Sequence, residues 1–116
     1  MAAGDVAIAR DVKFDRHGLR FIVGTVTLDG VNPTPVDLSG YLLSADMAVV
    51  SMDGSVAPGD DPTSVTSSVS GATINVYAWK HTTGGAAGNP TVVASTNNTR
   101  LVSWFALGPQ KVEKNT

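Results

Sequence analysis

The sequence predicts an all-β protein, an antiparallel β-sandwich or jelly-roll-like fold of seven or eight short strands with no long helix. Apolar and polar residues alternate in "ATINVYAW", which is the period of a half-buried strand. Gly, Asn, Asp and Pro recur at short intervals, and three of these places carry hairpin signals. The 116 residues are enough for one such domain, which we expect to span residues 1–116.

The first predicted element is a hairpin in "VKFDRHGLRF", where Gly18 can adopt the positive φ that the connection needs. Residues 19–28 then form the longest predicted strand, because they are rich in β-branched side chains. Alternation along this strand places Ile22 on the core face. Phe21 and Val23 point the other way, and we expect their face to meet another chain or a covering loop.

The middle of the chain is predicted to form a short turn and two strands. Residues 38–43 form a short helical turn packed on one end of the sandwich. A strand over residues 47–52 ends at Asp53-Gly54, which is a type I′ hairpin signal. After a loop, a polar strand covers residues 64–69.

The last third of the chain is predicted to contain three strands. In "ATINVYAW" we expect Ile74, Val76 and Ala78 to point inward, and Tyr77 and Trp79 to point outward. The remaining elements are a loop "TTGGAAGNP", a short strand over residues 91–94, a turn at residues 97–98, where asparagine tolerates the left-handed region, and a closing strand in "RLVSWFALG".

Charged residues are scarce, at 16% of the chain, whereas soluble domains average about 25%. A surface this poor in charge favours a protein that is covered by a partner. The net charge is −2 and the basic residues are scattered, so we expect no nucleic-acid binding. No apolar run is long enough for a membrane-spanning helix, so no membrane association is expected. The absence of cysteine excludes disulfides and zinc–thiolate sites.

No group of residues predicts catalysis or a cofactor. His17 and His81 are far apart in sequence and lack a metal-binding spacing. The "GDDP" at residues 59–62 has adjacent carboxylates, but it lacks the pattern of a calcium-binding loop and is interpreted as a solvated turn. No serine lies in a nucleophile-elbow motif. We therefore predict a protein that is not an enzyme, with no catalytic, cofactor-binding or metal-binding residues.

Outward aromatic residues are the remaining candidates for function. Exposed aromatic side chains anchor protein interfaces, and they also form sugar-stacking platforms. The stretch "WKH" lies where a strand passes into a low-charge loop, which favours a contact between subunits over the rim of a catalytic cleft. The candidate interface residues are Phe21, Val23, Tyr77, Trp79, Lys80, His81 and Trp104.

The order of these segments resembles that of small virion proteins of tailed bacteriophages. The matching features are a D-x-x-G-x-R hairpin (Asp15, Gly18, Arg20), a G-T-V-T strand, a V-D-L-S segment, and an aromatic closing strand that ends in Gly108. The likeness covers most of the chain and rests on turn and strand residues, with no chemical signature.

This resemblance implies a cement or decoration protein on the capsid exterior, which binds the major capsid protein, often as a homotrimer, and stabilises the lattice. Residues 1–10 and 109–116 would then be extended arms that reach a neighbouring capsid subunit. The alternative function is a carbohydrate- or receptor-binding sandwich module on a virion or fibre, which would use Tyr77 and Trp79.

Overall fold

A computed structural model describes residues 2–14, 18–53, 61–81 and 92–111. Within these residues the chain forms eight β-strands, joined by turns and loops, and no helix. In chain order the strands are β1 (Val6–Phe14), β2 (Leu19–Thr27), β3 (Thr34–Asp37), β4 (Met47–Met52), β5 (Ser64–Ser70), β6 (Thr73–His81), β7 (Val92–Ala94) and β8 (Leu101–Pro109). The predicted all-β class is confirmed.

The strands form two antiparallel sheets. Sheet A has the order β1-β2-β8-β4, and sheet B has the order β3-β6-β5, with β7 also paired to β6. β4 contacts β5, so one edge of sheet A lies beside one edge of sheet B. This arrangement confirms the predicted sandwich. Neither described sheet contains four consecutive strands in the Greek-key order from which jelly rolls are built, so the jelly-roll alternative gains no support.

The core lies between the sheets because β2, β6 and β8 each bury every second residue. β6 buries Ile74, Val76 and Ala78, as its alternation predicts, and β2 and β8 follow the same pattern. The buried core consists of Ile22, Val26, Leu28, Val36, Leu38, Leu42, Ala45, Ile74, Val76, Ala78, Val102, Trp104 and Ala106. The alternate residues of both sheets face outward and form the two outer faces of the sandwich.

A close approach at Gly24 brings three strands of sheet A together. Gly24 in β2 pairs directly with Trp104 in β8. A Cβ atom added to Gly24 would lie 2.7 Å from Cζ2 of Trp104 and 2.1 Å from the carbonyl oxygen of Ala7 in β1. Atoms do not pack that closely, so any larger residue would force the indole and β1 apart.

The predicted arms differ from what the structure contains. Residues 6–10 belong to β1, which pairs with β2 and has a bulge between Ile8 and Arg10. The ladder extends further, because the Gly4 N–H donates to the Thr27 carbonyl at 2.8 Å. At the other end, Pro109 is the last residue of β8 and Gln110 forms a bridge with Leu42. Residues 112–116 lie outside the described residues.

Of two predicted turns, one has the hydrogen bonding of the expected helical turn and the other does not. Residues 38–43 form a single turn, in which the N–H groups of Tyr41 and Leu42 both donate to the Leu38 carbonyl at 2.9 Å. In the connection from β7 to β8, the side-chain oxygen of Asn97 accepts hydrogen bonds from the N–H groups of Thr99 and Arg100 at 2.9 and 2.8 Å. No described non-glycine residue has a positive φ, so the left-handed explanation for this turn was wrong.

The hairpin signal at Asp53-Gly54 predicted that β4 pairs with the next strand, and this prediction was wrong. β4, which ends just before it, pairs with β8, and the next described strand, β5, pairs with β6. Residues 54–60 lie outside the described residues, as do residues 15–17 of the first hairpin connection. Gly18, at the end of that connection, has the predicted positive φ of 63°.

An ion pair closes one end of the sandwich. The Arg20 guanidinium binds the Asp11 carboxylate through two hydrogen bonds of 2.7 and 2.5 Å, and its third contact is the Tyr41 carbonyl at 3.1 Å. The guanidinium carbon also lies 5.0 Å from the centre of the Tyr41 ring. These hydrogen bonds to Arg20 lower the pKa of Asp11, although partial burial opposes the shift.

The lowered pKa of Asp11 predicts acid sensitivity. The stabilisation is complete above the pKa of the unfolded chain and is lost as the pH falls through the lower folded value, which places the loss below about pH 4. We expect Asp11→Asn to cost about 2 kcal/mol at neutral pH, less than a fully buried pair, because Asp11 keeps part of its exposure. The free energy of unfolding, measured with urea, should therefore differ less between pH 7 and pH 3 for this variant than for the unsubstituted protein.

Asp37→Asn is the matched control. The pKa of Asp37 is also lowered, by the Ser39 backbone N–H, but this carboxyl is fully exposed and has no arginine partner among its described contacts. The control should therefore change stability at neutral pH much less than Asp11→Asn. Equal effects of the two substitutions would contradict a stabilising role for the Asp11–Arg20 pair.

Candidate functional site

The outer face of sheet A is apolar across all four strands. Antiparallel pairing aligns its side chains in two rows that run perpendicular to the strands. The first row is Val12, Phe21, Leu107 and Met47, and the second contains Val23, Phe105 and Val49. We call these seven residues face A.

Two aromatic rings lie at the centre of face A. Phe21 and Phe105 come from neighbouring strands, and their ring centres are 5.4 Å apart at an angle of 40°. A groove of about 230 Å³ lies beside them and is lined by Val23, Val49, Ser51, Ser103, Trp104 and Phe105. Toward the β4 edge, Met47 and Val49 are 47% and 43% exposed, so the described chain leaves much of face A open.

The sequence indicated only part of face A. Phe21 and Val23 lie on the outer side of β2, opposite Ile22, as predicted. The contributions of β1, β4 and β8 were missed. In β8 both alternating sets are mostly apolar, so alternation alone does not tell the outer Phe105 from the inner Trp104.

The candidate residue Trp104 lies in the core. It is 2% exposed and points between the sheets with its neighbours Val102 and Ala106, so its side chain does not anchor a surface contact. Its indole N–H has no hydrogen-bond partner among the described residues. The placement follows from Gly24, since the missing side chain on β2 leaves the space that the indole fills.

The outer face of sheet B is polar and contains a second aromatic pair. Tyr77 and Trp79 are two residues apart on β6 and half-exposed, as predicted for outward residues. Their ring centres are 6.2 Å apart and the ring planes are within 10° of parallel. Around them lie side chains with hydroxyl or amide groups on β5 and β6, namely Ser64, Thr66, Ser68, Ser70, Thr73 and Asn75. We call these eight residues face B.

Hydrogen bonds to β5 fix both aromatic side chains. The Trp79 indole N–H donates to the Thr66 hydroxyl at 2.9 Å. The Ser68 hydroxyl donates to the Tyr77 hydroxyl at 3.4 Å. The rings are therefore held in one orientation before any ligand arrives, which lowers the entropy cost of binding.

Lys80 and His81 do not form a unit with Trp79. Alternation turns Lys80 to the other side of the strand, where its ammonium lies 3.9 Å from the Asp61 carboxylate. His81 shares the side of Trp79, and its Nδ1 lies 3.2 Å from the Thr63 hydroxyl. The predicted interface stretch "WKH" is therefore divided between two sides of sheet B.

A polar cluster around Asp61 is structural. Its carboxylate accepts a hydrogen bond from the Ser95 hydroxyl at 2.5 Å, and its backbone carbonyl accepts one from the Asn97 amide at 2.8 Å. Ser95 is 3% exposed, and its hydroxyl also accepts a hydrogen bond from the Asn97 N–H at 3.1 Å, so it is enclosed within the cluster rather than presented to a substrate. These contacts tie the start of β5 to the connection that follows β7.

No metal site was found where the chain is described. Within residues 2–14, 18–53, 61–81 and 92–111, no three histidine or carboxylate side chains are grouped so that they could hold an ion. His17 and Asp60, which belonged to the histidine and "GDDP" candidates, lie outside these ranges. In the same ranges no helix is long and apolar enough to cross a membrane.

Comparisons with protein families, curated proteins and solved structures found no match. The functional interpretation therefore rests on the chemistry of face A and face B.

Proposed function

We propose that this protein is a structural virion protein, not an enzyme, which binds the outside of a tailed-bacteriophage capsid and stabilises it. Face A is the observation that carries the proposal. Large apolar patches on a protein surface mark interaction sites. The aromatic pair of Phe21 and Phe105 at the centre of face A has the composition and position of an interface anchor.

The partner of face A is a protein surface. The outward side chains around the patch include Thr25, Ser51 and Ser103, and the aligned rows contain one cation, Arg10, opposite Val23. One cation is too few to hold a nucleic-acid backbone or an anionic surface. An apolar centre with a polar border is the usual anatomy of a protein interface. We propose the major capsid protein as this partner.

The area of face A favours attachment of several copies together. Three strands about 30 Å long and β4 about 20 Å long, each about 4.8 Å wide, give sheet A a projected area of roughly 500 Å². A standard specific interface buries about 800 Å² on each partner. One copy would therefore bind weakly, whereas linked copies gain strength from effective concentration. We propose a homotrimer, which also agrees with the resemblance to phage virion proteins.

The low charge content supports the same proposal. A chain with 16% charged residues has few groups to keep an isolated copy dispersed. Covering face A on a capsid would remove the largest described apolar surface of sheet A from water. The stabilisation of the shell would come from buried area repeated at symmetry-related positions rather than from any chemical step.

Adding the protein to purified phage shells that lack it should raise their melting temperature, because a ligand of the assembled state stabilises that state. Calorimetry of shells with and without the protein measures this effect, and cosedimentation measures the bound copies. An unrelated β-sandwich protein of similar size serves as the control. Light scattering of the free protein should give three times the chain mass of 11.9 kDa. Shells that neither bind the protein nor change in melting would contradict the proposed function.

A further inference from the structure

We propose that face B binds a neutral, extended hexose oligosaccharide, stacked on Tyr77 and Trp79. This site is on the opposite side of the sandwich from face A and is independent of capsid attachment. The two rings are stacked with nearly parallel planes, and both are half-exposed, so apolar ring surface is open to a ligand. The C–H face of a pyranose ring is apolar and packs on aromatic rings of this kind.

The hydroxyl and amide groups of face B can form hydrogen bonds with the hydroxyl groups around a sugar ring. Pairing places Thr66 beside Tyr77, Ser64 beside Trp79, and Ser68 beside Asn75. Each hydroxyl can both donate and accept a hydrogen bond, and the Asn75 amide offers both kinds of group as well. A sugar has the same mixture around its ring. The aromatic rings therefore supply the apolar contact, and the surrounding hydroxyl and amide groups supply the hydrogen bonds, that a pyranose needs.

The charge of face B indicates a neutral ligand. The eight residues that define it carry no ionisable group except the Tyr77 phenol. Asp37 pairs with Thr73 at one end, and His81 lies beyond Trp79 at the other. A sulfated or acidic glycan would find no described cation among the eight residues, so uncharged hexoses fit best.

The serine content of face B argues against a protein partner. Interfaces between proteins are depleted in serine relative to the rest of the surface. Face B has Ser64, Ser68 and Ser70 along a single strand, whereas on the outer side of sheet A the serines Ser51 and Ser103 lie at the border of the apolar rows. The two outer faces therefore differ in the way that a sugar site differs from a protein interface.

The shape of face B selects an extended ligand. β5 and β6 pair over seven residues, and the paired region is about 20 Å long and open at the surface. Equatorially linked hexoses form straight chains that can follow such a face, whereas α-linked chains coil away from it. Cellohexaose is therefore the probe of choice, and maltohexaose is the matched α-linked comparison.

Nuclear magnetic resonance of the two indole N–H groups tests the proposal, because the chain has only two tryptophans. Cellohexaose at millimolar concentration should shift the signal of Trp79 and leave that of the buried Trp104 unchanged. Maltohexaose should bind more weakly. Tyr77→Ala should weaken binding about tenfold, and Phe105→Ala on face A should leave it unchanged.

The Trp79→Phe variant tests whether a loss of sugar binding is caused by misfolding. Its fold and its binding are followed through tyrosine and amide signals. It keeps a ring but loses the hydrogen bond to Thr66, so reduced binding with an unchanged fold supports the site. Three outcomes would overturn the proposal. They are no Trp79 shift with cellohexaose, equal binding by Tyr77→Ala, and protection of Trp79 by attached shells in hydroxyl-radical footprinting, which would assign face B to a protein partner. None of the sugar measurements depends on whether the protein binds a capsid.

Discussion

Replacing Gly24 by alanine is expected to destabilise the protein by more than about 3 kcal/mol, the upper end of the usual cost of overpacking a core. The new methyl group would lie 2.1 Å from the Ala7 carbonyl oxygen and 2.7 Å from the Trp104 ring. The first neighbour is backbone held in the β1–β2 ladder, and the second is a fully buried indole. Neither can move without disrupting hydrogen bonds or core packing.

Gly40→Ala is the control for this prediction. Gly40 has no atom within 4 Å of its added Cβ and does not have a positive φ. The same change of composition should therefore leave stability nearly unchanged or raise it slightly, because alanine restricts the unfolded chain. Urea unfolding measures both variants. Similar free energies of unfolding for Gly24→Ala and Gly40→Ala would show that the close approach at Gly24 is not a constraint.

Phe105→Lys is expected to reduce attachment to phage shells more than a hundredfold, which corresponds to about 2.7 kcal/mol of binding free energy. Phe105 is half-exposed at the centre of face A and packs on Phe21. The substitution removes an aromatic anchor and places an unpaired ammonium in an apolar contact. Quantitative cosedimentation with shells measures the loss.

Thr66→Lys adds the same charge to face B and is the matched control. Thr66 is exposed on β5, on the opposite outer side of the sandwich, so this variant should bind shells normally. Circular dichroism should show that both variants keep the β-fold, since neither residue is buried. Normal shell binding by Phe105→Lys would contradict the role of face A and with it the proposed mode of attachment.

The fold class followed from the sequence because alternation is a local property. In β6 the alternating residues differ sharply in polarity, so the inward Ile74 and Val76 and the outward Tyr77 and Trp79 were predicted correctly. β8 lacks this contrast, since apolar residues occur on both of its sides. Trp104 was consequently assigned to the surface, and its position became clear only from its partner Gly24.

The first strand was missed in part for a related reason. The bulge between Ile8 and Arg10 shifts the register, so the two-residue period of β1 changes phase in the middle of the strand. A sequence pattern interrupted in this way resembles an irregular arm. A truncation after Arg10 would therefore remove half of a paired strand, and such a variant is unsuitable for testing whether the N-terminal residues contact a capsid.

Face A could not be predicted as a unit because its residues are distant in sequence. Val12, Val49 and Phe105 come from three strands that are adjacent only through the β1-β2-β8-β4 order. The hairpin signal after β4 suggested a neighbour nearby in sequence, whereas its partner is β8, about fifty residues later. Local turn chemistry identifies where a strand ends but does not specify a distant partner.

The position of β8 between β2 and β4 affects how the chain folds during synthesis. β8 is the last described strand, and its pairing of Leu101 with Thr27 and of Pro109 with Leu19 closes loops of roughly 80 residues. β2 and β4 have no common neighbour until this segment has left the ribosome. Nascent chains would therefore expose the apolar side chains of β2 until β8 is available, and sheet A would be completed only afterwards. Such distant pairing places the protein among slow folders, on the millisecond-to-second scale.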